Sequence, residues 1–212
     1  MPTIVVDTAL LKGEHIYLEH LHVDHVPVLK ELARDERLWA YTKTLLINDT
    51  YEEQFQKYIT TAFNKSAIGG QQAFVIRTTV DNAIIGMTRY YFIEPKDKRL
   101  AIGYTWYTPA VWGGPHNKEC KLLLLQYAFE VLRFNRVEFH VAHQNVRSQK
   151  AVEKIGGVKE GVLRKYGYRP DGTLRDTVVY SIIDEEWLEK KARLQKMVNS
   201  YSVASSNVRQ GS

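Results

Sequence analysis

Residues 112–117, Trp-Gly-Gly-Pro-His-Asn, form a glycine-rich segment of the kind that binds anions. The segment follows an aromatic and β-branched run that ends at Tyr107 and is typical of a strand, and it precedes an amphipathic helix that opens at Lys118. Backbone N–H groups at a helix start have no intrahelical acceptor, and the helix dipole adds partial positive charge there. The sequence therefore predicts a phosphate or pyrophosphate site in this loop.

A second polar helix start, Asn145-Val146-Arg147-Ser148, lies downstream of the loop. It directly follows a strand-like run over residues 136–141. An asparagine at this position is a preferred N-cap. The order of strand, anion loop, helix, strand and polar helix start indicates a coenzyme cleft.

The region between residues 102 and 187 resembles the GNAT superfamily of coenzyme-A-dependent N-acetyltransferases. The likeness is strongest to the branch of RimJ/RimL-like ribosomal-protein N-terminal acetyltransferases. The order and spacing of several motifs carry it, namely Trp112-Gly113, residues 117–121, 145–148, 153–156, 161–165 and 175–181. The resemblance implies an α/β fold with a single GNAT-like domain, in which helices flank a mixed β-sheet and two parallel strands splay to admit acetyl-CoA.

The resemblance also implies roles for individual residues in coenzyme binding. Backbone groups of Trp106 and Tyr107 would hold the acetyl carbonyl and pantetheine. Asn145 would bind pantetheine, and Ser148 would lie near the thiol. The pyrophosphate would bind the loop, with contacts expected from Trp112, Gly113, Gly114, His116, Asn117 and Lys118.

Three positions depart from the family pattern. Pro115 stands where a central glycine is expected and has no N–H to donate, and Asn117 stands where a glycine or alanine is expected, so it is predicted to cap the helix. Val152 replaces the tyrosine that protonates the leaving thiolate in many members. Ser148, water or no protein acid at all remain open as its replacement. These departures also motivate the alternative of a non-catalytic acyl-CoA-binding or regulatory protein.

The base that takes the proton from the amine is less well defined by sequence. Glu138 alternates with Val137 and Phe139 along a predicted strand, so it could accept that proton through water if its face meets the acceptor channel, and His140 lies on the same face. The alternative is a solvated glutamate and a structural histidine. Glu160 and Asp176 lie on the last hairpin, where this branch builds acceptor sites, although Asp176 could equally pair with Arg164 or Arg175. Ser148, Glu138 and Asn145 form the predicted catalytic set.

The expected reaction is direct attack of a primary amine on acetyl-CoA in a ternary complex. Cys120 lies on the packed face of a predicted helix and is a poor nucleophile, so no covalent acyl-enzyme is expected. The acceptor could be a protein N-terminus or a small amine. The sequence regions expected to surround it carry no recognisable signature.

Periodicity predicts the elements that position these residues. Strands are expected at 15–19, 73–79, 83–93, 100–107 and 136–141, and a hairpin at 158–168 and 173–183, with its turn around Pro170. Helices are expected at 24–34, 51–64, from 118, from 145 and from 184. Residues 1–198 are predicted to form the domain, and the polar segment 199–212 a disordered tail.

Composition restricts the class of protein. The chain has 212 residues, enough for one domain with a sizeable core, and its single cysteine excludes an internal disulfide. A net charge of +5 without a Lys/Arg block favours a mildly basic soluble protein over a nucleic-acid binder. No apolar run is long enough to span a membrane and no signal peptide is recognisable, which together predict a cytoplasmic protein.

Exposed apolar strand edges would allow a homodimer. No metal is expected, despite a histidine cluster at His15, His20, His22 and His25.

Overall fold

The computed structural model describes residues 4, 6–42, 44, 48–169 and 171–209. Its strands are β1 (Ile16–His20), β2 (Gln71–Thr78), β3 (Ile84–Glu94), β4 (Arg99–Tyr107), β5 (Arg136–Ala142), β6 (Val158–Tyr168) and β7 (Leu174–Ile183). Its helices are α1 (Val26–Leu32), α2 (Tyr51–Ala67), α3 (His116–Gln126), α4 (Val146–Lys154) and α5 (Asp184–Arg209). Short one-turn helices and a π-helical turn at Tyr127–Val131 complete the regular structure.

The strands form one mixed sheet in the order β1-β2-β3-β4-β5-β7-β6. The pair β4 and β5 is parallel, and the other neighbouring pairs are antiparallel. Pairing between β4 and β5 extends only from Arg99 opposite Arg136 to Ala101 opposite Glu138. Beyond those residues the two strands diverge, which confirms the expected α/β fold with a splayed sheet.

A β-bulge in β4 sets the backbone direction beside the gap. The register shifts between Met87 and Arg89 of β3, and Tyr104 of β4 has a left-handed φ of 51°. A side chain on Gly86 would overlap the Trp106 carbonyl, so that carbonyl faces β3. Because backbone groups alternate in direction along a strand, the N–H and carbonyl of Tyr107 face the gap instead.

Two hydrophobic cores lie on opposite faces of the sheet. Alternation along β2 sends Phe74 and Ile76 into the core formed with α3 and α5, and Val75 into the core formed with α1 and α2. At the end of β4, Tyr107 joins the first core and Trp106 the second. The gap between β4 and β5 therefore has an aromatic side chain on each face.

The C-terminal helix extends further than the sequence predicts. The backbone of α5 is helical to Arg209, whereas a disordered tail is expected from Asn199. The hydroxyl of Tyr201, within that stretch, donates to the carbonyl of Gly113 at 3.1 Å. The domain boundary at residue 198 stays a prediction, while Pro170 of the hairpin turn and residues 210–212 lie outside the described residues.

Candidate active site

A cavity of about 450 Å³ lies where β4 and β5 diverge. Trp106 and Tyr107 line it from β4, and both rings are also buried in the cores. The indole Nε1 of Trp112 donates to the Tyr107 carbonyl at 2.8 Å, which ties the loop after β4 to the strand. The neighbouring Tyr107 N–H faces the gap, where a carbonyl or amide of a bound molecule could accept from it.

The glycine-rich loop forms one end of the cavity. Trp112, Gly113 and Gly114 line it, and Gly113 has a φ of +82°, a conformation that suits glycine. The Nζ of Lys118 donates to the Gly114 carbonyl at 3.1 Å and to the Tyr201 hydroxyl at 2.9 Å. Contacts from α3 and α5 thus fix the carbonyls of Gly113 and Gly114.

Pro115 leaves the backbone N–H groups at the start of α3 in place. It lies directly before α3, and its carbonyl accepts the first helical hydrogen bond, from Glu119 N at 3.0 Å. A proline tolerates this position because an N–H there has no helical partner in any case. The N–H groups of His116, Asn117 and Lys118 in the first turn remain available to an anion.

The structure corrects the expected helix cap. Asn117 lines the cavity from the first turn of α3, whereas Pro115 occupies the N-cap position, so Asn117 is not the cap. His116 and Lys118 are not among the residues that line the cavity. Burial lowers the pKa of the His116 imidazole, and the Lys118 ammonium donates to Gly114 and Tyr201, so side-chain contacts from these two residues to the pyrophosphate stay predictions.

The start of α4 closes the same side of the cavity. The Oδ1 of Asn145 accepts from Ser148 N at 3.0 Å, which confirms the predicted N-cap. Asn145 and Ser148 both line the cavity, and Val152 lies one turn further along the helix wall. The guanidinium of Arg147 stacks 4.5 Å from the centre of the Trp112 ring, so a cation lies beside the anion loop.

The opposite face of the gap presents His140 with Glu138 behind it. His140 lines the cavity and Glu138 does not. The Nε2 of His140 lies 2.8 Å from Glu138 Oε2, and the Nε of Arg136 donates to Glu138 Oε1 at 2.8 Å. The hydrogen bond from His140, with that from Arg136, lowers the pKa of the Glu138 carboxyl to about 2. An ionised carboxylate only accepts hydrogen bonds, so the His140 ring presents an N–H at Nε2 to Glu138 and turns its Nδ1 edge away from that carboxylate.

The two hairpin carboxylates have structural partners. Glu160 accepts from Arg136 at 2.6 Å and from the Ser181 hydroxyl at 2.7 Å. Asp176 accepts from the backbone N–H of Lys165 at 2.7 Å, rather than pairing with either arginine considered from the sequence. Neither carboxylate lines the cavity.

Several cavity residues escape the motif-based prediction. An aromatic wall consists of Trp39, Tyr58, Tyr91, Tyr104 and Tyr166. Lys121 extends from α3 to donate to Thr105 Oγ1 at 2.9 Å, and burial lowers the pKa of its ammonium. Lys121 lies four residues after Asn117, so both belong to one face of the helix, and this spacing could have indicated from sequence that Lys121 lines the cavity. The aromatic residues come from separate elements and carry no shared spacing.

Comparison with known families decides the identity of this fold and cleft. Residues 15–158 match the family model described as the acetyltransferase (GNAT) domain. The chain belongs to the GNAT acetyltransferase family. Members of this family use acetyl-CoA, and the residues around the splayed strands fit such a molecule through the loop N–H groups, Asn145 and the Tyr107 N–H.

Proteins similar to this GNAT acetyltransferase occur in bacteria. The chain is 26% identical to the N-acetyltransferase p20 of Bacillus licheniformis, over 84% of this chain and 97% of that protein. It is 33% identical to YdaF of Bacillus subtilis, named as a ribosomal N-acetyltransferase, over 52% of this chain and 60% of that protein. A structure from T. thermophilus described as an acetyltransferase is 37% identical, with a TM-score of 0.79 over 89% of this chain and 96% of the other.

Two more distant acetyltransferase structures share the fold. RimJ of Mycobacterium smegmatis, in complex with CoA-disulfide, is 19% identical with a TM-score of 0.73 over 86% of this chain and 88% of its own. The spermidine N-acetyltransferase of Vibrio cholerae, in complex with CoA and spermine, is 18% identical with a TM-score of 0.67 over 82% of this chain and 98% of its own.

Three further observations concern the described part of this acetyltransferase. Cys120 is fully buried and burial raises the pKa of its thiol, which leaves it a poor nucleophile. No group of three His, Cys, Asp or Glu side chains in the described ranges is placed to hold a metal ion. None of the helices described there is both long and apolar enough to cross a membrane.

Proposed function

We propose that this acetyltransferase transfers an acetyl group from acetyl-CoA to a primary amine by direct attack in a ternary complex. The observation that carries the proposal is the cavity between β4 and β5, which joins the anion loop and the α4 start to His140. When bound, acetyl-CoA supplies an activated acetyl thioester. The residues of the chain orient it, accept the proton of the amine and exclude water.

On the coenzyme side, the loop and α3 bind phosphate through backbone N–H groups, with Arg147 beside them. The side-chain amide of Asn145 donates to pantetheine while its Oδ1 caps α4. The N–H of Tyr107 donates to the acetyl carbonyl, where negative charge develops during attack. Ser148 is the candidate hydrogen-bond donor to the leaving sulfur, with water as the alternative.

On the amine side, His140 is the candidate base and Glu138 its positioning residue. An amine attacks only as the neutral form, so a nearby group must take its proton near neutral pH. Glu138, with a pKa of about 2, is too weak a base for this step, but it holds the imidazole proton on Nε2. This pairing refines the sequence-based proposal, in which Glu138 itself is the base.

The acceptor is a protein N-terminus or a small amine. The names of YdaF and RimJ support the first class, and the name of the spermidine N-acetyltransferase supports the second. In either case the acceptor would meet the aromatic wall that lines the cavity. A cytoplasmic location and a RimJ/RimL-like activity belong to this proposal.

Initial-velocity kinetics test the ternary complex. Release of CoA thiol is measured while acetyl-CoA and an accepted amine are varied, and the acetylated amine is identified by mass spectrometry. Double-reciprocal lines should intersect, because both substrates must be bound before transfer and buried Cys120 offers no acyl-enzyme route. Parallel lines would contradict direct attack, and a Cys120→Ala variant that retains turnover would exclude a cysteine intermediate.

A further inference from the structure

Arg175 is a buried arginine that the proposed reaction does not use. It belongs to β7, is 7% exposed and lines the cavity. Its Nη2 donates to Thr177 Oγ1 at 3.2 Å, while its buried Nε has no hydrogen-bond partner among the residues that the structure describes. Among the ion pairs of the described residues, none joins Arg175 to a carboxylate.

Alternation along β7 places Arg175 on the same face as His140. Val178, Tyr180 and Ile182 enter the core with α3 and α5, so the intervening positions face the other side. Val179 lies directly opposite His140 of β5, and opposite residues in an antiparallel pair share a face. Arg175 and the candidate base therefore belong to the amine side of the sheet.

A second buried cation, Arg89, adds positive charge near the amine side of the cavity. Arg89 is 1% exposed, and its guanidinium stacks 4.5 Å from the ring centre of Tyr58 and 4.6 Å from that of Tyr104. Its Nη1 donates to Gln71 Oε1 at 3.2 Å, whereas its Nε and Nη2 have no hydrogen-bond partner within the described part of the chain. Both stacked rings line the cavity.

The charged residues lining the cavity are unbalanced in sign. Within the described part of the chain the lining includes Lys121, Arg147 and Arg175 but no aspartate or glutamate. Arg147 lies beside the loop, where coenzyme phosphates belong, and Lys121 extends from α3 on the other face. Burial lowers the pKa of Arg175, yet an arginine remains protonated, and a buried charge without an anion is unfavourable. An anion next to Arg175 would relieve that penalty.

We propose that Arg175 binds a carboxylate carried by the acceptor, so that the substrate is a small amine with a carboxylate, such as an amino acid. The inference rests on the proposed function and narrows its acceptor class. A planar guanidinium suits a carboxylate because it donates two parallel hydrogen bonds. The aromatic wall around it favours an apolar or aromatic side chain on that substrate. A polyamine, by contrast, would bring further positive charge towards two buried guanidiniums.

Matched pairs of amines test the proposal, because members of each pair differ only by a carboxylate. The pairs are phenylalanine and phenethylamine, tryptophan and tryptamine, and lysine and cadaverine, with spermidine added as a polycation. The carboxylated members should have at least about 100-fold higher kcat/KM, since a site that binds a polar group discriminates strongly against its absence. Arg175→Gln should reduce the preference to within about tenfold and leave the Kd for acetyl-CoA unchanged.

Two further variants separate recognition from folding. Arg164→Gln removes the same charge from an exposed arginine of the same hairpin and should keep the preference. Thr177→Val removes the hydroxyl that receives Arg175 Nη2 and should raise the acceptor KM more than it lowers kcat. If Arg175→Gln fails to fold, this variant still reports on the guanidinium.

The outcomes distinguish the carboxylate-binding role of Arg175 from the N-acetyltransferase activity on which it rests. Acetylation of the amines without a preference for a carboxylate, or with spermidine preferred, would overturn the inference and leave the N-acetyltransferase proposal standing. An unchanged preference in Arg175→Gln would do the same. Binding of acetyl-CoA without acetylation of any amine would overturn both.

Discussion

At the scale of single residues, the pair of His140 and Glu138 shows how position decides chemical role. Both side chains lie on one face of β5 and are mostly buried, but only the imidazole reaches the cavity. Glu138 is held between His140 and Arg136, so it stays ionised and orients its neighbour. The imidazole is then the group that a water or an amine in the cavity would meet.

Substitution of these two residues should affect turnover to different extents. His140→Gln should lower kcat by about 100- to 10,000-fold, the usual effect of removing a general base, without changing the Kd for acetyl-CoA. Glu138→Gln should lower kcat less and alter its pH profile, because the imidazole exchanges a charged carboxylate partner for a neutral amide. Steady-state kinetics across pH 6–9, on the scale of His and amine titration, provide the measurement.

Exposed Glu189 on α5 offers the matched control. Glu189→Gln should leave both kcat and its pH profile unchanged. Turnover in His140→Gln equal to that of the wild type would remove the imidazole from the mechanism and return the role of base to water or to another group.

Sequence alone predicts the residues in short motifs better than those brought together by the fold. Asn145, Ser148 and the two loop glycines could be placed because a helix start and its strand are local features. Arg175 could not be recognised, since its importance depends on its forming no ion pair with a carboxylate of the described residues. That absence is a property of packing rather than of spacing.

At the scale of elements, Glu119 joins the start of α3 to the N-terminal turn. Its buried carboxylate accepts from Glu14 N at 2.7 Å, His15 N at 2.8 Å and Ile16 N at 2.9 Å. A side chain on Gly13 would collide with it, so the turn packs directly on the carboxylate. This contact anchors the helix whose first turn belongs to the proposed anion site.

Glu119→Gln should therefore destabilise the whole domain. Replacing one carboxylate oxygen by an NH₂ group sets donor against donor, and hydrogen bonds to a charged group contribute about 1.5–3 kcal/mol. The free energy of unfolding should fall by about 2–3 kcal/mol, with Tm lower by roughly 4–12 °C. Urea unfolding and thermal unfolding, each followed by circular dichroism, give the two quantities, and Glu189→Gln is again the control.

A loss of unfolding free energy below about 0.5 kcal/mol, the size typical of a surface substitution, would show that the amide replaces the carboxylate without strain.

The three contacts of Glu119 could not be foreseen from sequence, because Glu119 and its partners are about a hundred residues apart. The order of strands and helices could be foreseen, since hydrophobic periodicity is local. The extent of the splay could not, because it depends on where β4 stops pairing with β5.

At the scale of the whole molecule, distant parts of the chain converge on the cleft. The C-terminal helix contributes Tyr201, whose hydroxyl contacts Gly113 and receives Lys118 Nζ. A polar, serine-rich stretch is typical of disorder, so sequence composition did not reveal this role. The edge strand β6 exposes Val162, Leu163 and Tyr168, and a homodimer through such an edge stays a prediction.

The central claim is that the gap between β4 and β5 is a cleft for acetyl-CoA. The most direct test is a calorimetric titration of the wild-type protein with acetyl-CoA, with dephospho-CoA and ATP as controls. We expect saturable binding of acetyl-CoA that weakens at least about tenfold in Asn145→Ala, since one lost hydrogen bond corresponds to about 1.4 kcal/mol, and much less in Ser148→Ala. No binding of acetyl-CoA, or equal binding by wild type and Asn145→Ala, would contradict the account.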